Sequence, residues 1–183
     1  MINRLKINQL FTEAFEFYNE QKLEQSKSKY EEIIELDPLN LQSHNNLGLI
    51  HKEIGNFDEA IKLFNRAIKI NSSYQNAYNN LGIVFLEIGN FYNAIDNFKK
   101  LISINSHQFA AYCNLGLCYE KINEAEKAIH AYNMVPSEDK NYLNAQYNLG
   151  ILYFKIKQYK KTIKIFKNIN FKKSQSYLLK SLY

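Results

Sequence analysis

Along residues 41–54 the apolar side chains Leu47, Leu49, Ile50 and Ile54 recur at three- and four-residue steps, the spacing of one helix face. Gly55-Asn56 then interrupts the pattern, since both residues tolerate the left-handed conformation that ends a helix. Phe57-Asp58-Glu59 opens a second helix with acids near its positive end. That helix presents Ala60, Ile61, Phe64, Ala67, Ile68 and Ile70. A pair of antiparallel helices is predicted.

The pair recurs. Leu47-Gly48, Leu81-Gly82, Leu115-Gly116 and Leu149-Gly150 lie 34 residues apart. Large side chains follow four residues after each Leu, at His51, Phe85, Tyr119 and Tyr153. Ala60, Ala94, Ala128 and Thr162 share a later position, and Phe64, Phe98, Tyr132 and Phe166 come four residues beyond. This register divides the chain into an extension of the first helix at 1–6, five units at 7–40, 41–74, 75–108, 109–142 and 143–176, and the start of a further helix at 177–183. The first unit departs most, with Ala14 for Gly and Ser26 for Ala, although Pro38 closes its second helix. Asn123 and Lys157 replace the turn glycines Gly55 and Gly89, so the later turns are expected to differ from the middle ones. Pro136 is expected to shorten its helix.

Glycine inside a helix costs about 1 kcal/mol relative to alanine. Four copies at one register are explained by room. They let the second helix approach through Ala60, Ala94 or Ala128, with the aromatic filling the space beside it. No unit buries both of its faces alone, so neighbours must stack.

These residues resemble the tetratricopeptide repeat over 7–176, nearly the whole chain. The resemblance implies an all-α, right-handed superhelical solenoid of antiparallel helix pairs. It also implies a concave groove lined by the first helix of each pair, and a protein or peptide as partner. In such grooves, register positions 2, 6, 9 and 13 of the first helix face inward. Here they read Asn8-Thr12-Phe15-Asn19, Gln42-Asn46-Leu49-Glu53, Asn76-Asn80-Ile83-Glu87, Ala110-Asn114-Leu117-Lys121 and Asn144-Asn148-Ile151-Lys155. Asn46, Asn80, Asn114 and Asn148 form a ladder of amides, extended by Asn45 and Asn79, suited to an extended peptide backbone. Leu49, Ile83, Leu117 and Ile151 supply an apolar strip. The stripe ends Glu53, Glu87, Lys121, Lys155, which polarises it along its length. The bland alternative is a plain polar face in an asparagine-rich chain. The family's carboxylate clamp needs basic side chains that this sequence lacks at the corresponding positions, so a chaperone-tail receptor is disfavoured.

Composition adds exclusions. All six glycines are consumed by packing and turns, which leaves none for a phosphate loop. His44 and His51 lie two turns apart at positions where other units carry aromatics, so both are expected in packing and not as metal ligands. Cys113 and Cys118 are five residues apart in one predicted helix, which argues for free thiols in a reducing, cytoplasmic setting. No catalytic residue, metal site or cofactor is expected. No membrane span and no secretory signal stand out. Residues 140–183 hold ten lysines and no acid, while the chain as a whole is +5. Without an arginine-and-aromatic pattern this is read as a solvated end and not as a nucleic-acid surface. The apolar stub 177–183 suggests either self-association there or continuation into a longer protein. Family analogy for the second case is a substrate-recognition segment preceding a glycosyltransferase, sulfotransferase or iron oxygenase domain.

Overall fold

The computed structural model describes residues 2–169. Among them lie ten helices and no strand. In order these are α1 (Ile2–Asn19), α2 (Leu23–Leu36), α3 (Leu41–Glu53), α4 (Phe57–Ile70), α5 (Gln75–Glu87), α6 (Phe91–Ile104), α7 (Phe109–Lys121), α8 (Ala125–Asn133), α9 (Tyr142–Lys155) and α10 (Tyr159–Asn168). The stub at 177–183 lies outside the described residues. Two compact units, Met1–Val84 and Phe85–Tyr183, divide the chain within α5.

In the first unit α1 packs on α2, α2 on α3 and α3 on α4. Its core gathers Leu10, Ala14, Tyr30, Ile33, Leu47 and Ile50. In the second unit α6 packs on α7, α7 on α8, α8 on α9 and α9 on α10, and α7 also reaches α9. Ala94, Phe98, Ala111, Leu115, Cys118, Ala128 and Tyr132 are among its buried side chains. Alternation of alanine with bulky rings is what lets helices of one register nest repeatedly.

At Gly48, Gly116 and Gly150 the nearest neighbour is the aromatic ring of the second helix. A methyl group at Gly48 would stand 2.6 Å from Phe64 Cε1, at Gly116 2.5 Å from Tyr132 Cε1, and at Gly150 2.6 Å from Phe166 Cε1. The aromatic edge therefore occupies the glycine's vacant side, filling the gap that the register predicts. Where the alanine position holds a hydroxyl, that group bonds to the carbonyl at the glycine position. Ser26 Oγ donates to Ala14 O at 2.8 Å and Thr162 Oγ1 to Gly150 O at 3.5 Å. The substitutions that weaken the sequence pattern are thus satisfied in the fold.

The turns do not differ along the chain as expected. Gln21, Gly55, Gly89, Asn123 and Lys157 all take φ between 59° and 78°. After each, a backbone N–H returns to the carbonyl five residues back, as from Asn56 to His51 and from Gln158 to Tyr153, both at 2.8 Å. This is the Schellman closure, and its two hydrogen bonds impose the conformation whether or not glycine is present. Pro136 acts as expected: α8 has nine residues where α4 and α6 have 14. His44 and His51 are buried, with His44 Nε2 3.0 Å from Pro38 O.

Candidate functional site

Each first helix keeps one stripe open. Gln42, Asn76 and Asn144 at its start are exposed, as are Glu53, Glu87, Lys121 and Lys155 at its end. Between them Asn46, Asn80, Asn114 and Asn148 are half-buried, and so are Leu49, Ile83, Leu117 and Ile151. The regularity follows from helix geometry: steps of four, three and four return to one line along the axis, while the opposite face carries Leu47, Leu81, Leu115 and Leu149 into the core.

The amides of the two units behave differently. In the first, Asn45 is 3% exposed and its amide is engaged at both ends. It donates to Asn46 Oδ1 at 3.2 Å and accepts from Asn80 Nδ2 at 2.9 Å. Asn46 Nδ2 in turn donates to the Tyr30 hydroxyl at 3.1 Å. Asn45 is therefore a brace that orients Asn46 and Asn80. Asn76 Nδ2 lies 3.5 Å from the Tyr74 hydroxyl, and Asn79 is half-buried. In the second unit the side chains of Asn114, Asn144 and Asn148 make no hydrogen bond among the described residues. Together with Ala110, Cys113, Leu117 and Asn141 they line an open cleft of about 260 Å³. The difference has a local cause. Cys113 stands where the first unit has Asn45, and the Tyr132 hydroxyl, the counterpart of Tyr30's, donates to Glu120 at 2.7 Å.

Charge at the stripe's end is also altered by neighbours. Lys155 Nζ lies 3.1 Å from Glu120 Oε2, and the Glu120 side chain is 8% exposed. Lys155 is thus compensated by a carboxylate from α7, which weakens the polarity that the sequence suggests. Glu53 accepts a hydrogen bond from the Tyr18 hydroxyl and has no cationic partner among the described residues. Burial, and then the Glu53 contact, push the Tyr18 hydroxyl up to about 12. Burial and the Glu120 contact raise Tyr132 as well. Burial pushes the Cys113 and Cys118 thiols up to about 11, which keeps both protonated and poorly nucleophilic near neutrality.

Three side chains beside the stripe escaped the sequence reading of the site. Tyr18 and Tyr30 join Phe15, Asn46 and Leu49 around a cleft of about 140 Å³. Tyr18 and Glu120 share register position 12, one residue short of the stripe. The signal was present but needed the packing offset between successive first helices to be seen.

Nested helix pairs with a repeating glycine–aromatic contact and one open stripe define an all-helical repeat scaffold. Models described as "TPR repeat" and "Tetratricopeptide repeat" match residues 50–89, 29–62, 75–108, 109–134 and 144–170. The chain belongs to the tetratricopeptide repeat family, whose members are typically non-catalytic, and it is a protein-interaction scaffold. Among solved structures it resembles MamA at 25% identity, covering 84% of this chain and 90% of that one with a TM-score of 0.78. MamA 41-end from Desulfovibrio magneticus RS-1 is 18% identical, with 96% of each chain covered and a TM-score of 0.82. YrrB, described as a TPR protein with an unusual peptide-binding site, is 19% identical over 84% of this chain and 79% of that one, with a TM-score of 0.71. No curated protein matches the chain. No helix among the described residues is long and apolar enough to cross a membrane.

Proposed function

We propose that the chain binds an extended peptide segment of a protein partner along the open stripe of its second unit, with Asn114 and Asn148 as principal contacts. The observation that carries this is the cleft of the second unit, where three amides face outward with their hydrogen bonds unspent. A side-chain amide both donates and accepts, so it matches an extended backbone without reading its side chains. Leu117 and Ile151 lie one turn on from these amides and offer apolar contact to alternate side chains. In the first unit Asn46 and Asn80 supply the same chemistry from a braced position, with Gln42, Asn76 and Asn79 at the margin. The free thiols Cys113 and Cys118 suit a reducing compartment, and we place the chain in the cytoplasm on that ground.

A peptide array probed with the wild type and with an Asn114→Ala, Asn148→Ala double variant tests the reading. Two hydrogen bonds at about 1 kcal/mol each predict binding to the same peptides weaker by about tenfold or more. Equal binding by a double variant of unchanged helicity rejects it.

A further inference from the structure

We infer that the cleft between α1, α2 and α3 receives a lysine or arginine side chain of a peptide segment bound along the first unit's own stripe; this rests on the peptide-binding reading above. Phe15, Tyr18 and Tyr30 give the cleft three aromatic walls and Leu49 an aliphatic one. Its volume of about 140 Å³ is close to the ~150 Å³ that accommodates one benzene molecule, so it suits a single side chain. Phe15 is 59% exposed although it is a large apolar ring, which leaves area to be covered. Glu53 lies one helical turn beyond Leu49, anchored to the cleft by the Tyr18 hydroxyl. That bond uses one carboxylate oxygen, and the charge has no counterion among the described residues. On the other side Asn46 uses one N–H on Tyr30 and keeps another for a backbone carbonyl of the guest.

A basic side chain fits every part of this arrangement. Its methylene stem lies against the rings while its cation reaches the free oxygen of Glu53. Aromatic faces attract the same cation. A neutral aliphatic side chain would fill the walls but leave Glu53 uncompensated, and an acidic one would be repelled.

The ¹⁵N-labelled full chain is titrated with acetylated, amidated Ala-Ala-Xaa-Ala-Ala peptides in which Xaa is lysine, norleucine or glutamate. The lysine peptide is expected to shift the amide signals of Phe15, Tyr18, Asn46, Leu49 and Glu53. It should bind about fivefold tighter than the norleucine peptide, with a preference that fades as salt is raised. Glu53→Gln retains an oxygen for Tyr18 and should abolish the preference without altering the fold. Phe15→Ala should weaken the lysine peptide while the unfolding midpoint stays in place, because the ring is exposed. Norleucine binding as tightly as lysine overturns the inference, as does a lysine preference that survives Glu53→Gln. Shifts confined to Asn114 and Asn148 overturn it and leave the groove reading standing. Absence of shifts at both places overturns both.

Discussion

Adding a methyl group to Gly48 sets two effects against each other. Alanine in a helix interior is favoured over glycine by about 1 kcal/mol. Against this, the new carbon would stand 2.6 Å from the Phe64 ring, inside any real contact distance, and Phe64 is fully buried. Overpacking of this kind costs about 1–3 kcal/mol, so the clash wins. Gly48→Ala should lower the urea midpoint, and adding Phe64→Leu should recover part of the loss in the double variant. A full additive loss would mean that the ring is not what the glycine accommodates. The same scale separates the asparagines. Asn46 and Asn80 share one register position with Asn114 and Asn148, yet the Tyr30 hydroxyl holds Asn46 and one extra amide, Asn45, ties Asn46 and Asn80 together.

Turns are the elements in which conformation outruns composition. Lys157 adopts φ 60° where Gly89 adopts 77°, and a side chain there is strained by about 1 kcal/mol or more. Lys157→Gly should therefore raise the urea midpoint by the equivalent of about 1 kcal/mol with an unchanged slope. No change would mean that the lysine makes a compensating contact. Helix pairs and the shortening at Pro136 were legible in the sequence, because three- and four-residue spacing and proline act locally. The uniform turns were not, since hydrogen bonds to carbonyls five residues back hold Asn123 and Lys157 in a glycine-like state. The open positions of the stripe were legible from the register, but the burial of Asn45 as a brace and the stripe's partners were not. Glu120 beneath Lys155, and Tyr18 beside Glu53, come from the preceding first helix, whose offset a single helical period does not contain.

At the scale of the whole molecule, buried tyrosines set the alkaline limit. Tyr18, Tyr30, Tyr132 and Tyr153 all hold their protons above the ordinary tyrosine range, in each case chiefly because of burial. The folded chain then binds these protons more tightly than the unfolded chain. Stability is unaffected below about pH 10 and falls as pH rises above it, and the Tyr18 share levels off beyond its folded value of about 12. Urea midpoints measured from about pH 9 to 12 should decline, and Tyr18→Phe should make the decline shallower. A flat profile would contradict the burial of these hydroxyls. The offset between partners has a longer reach. Tyr18 with Glu53, Asn45 with Asn80 and Glu120 with Lys155 are each 35 residues apart, one more than the period. A repeat copied or transplanted elsewhere by recombination would meet a stranger at each of these places. Heritable change along this face must accordingly proceed in couples, one member in each of two successive repeats.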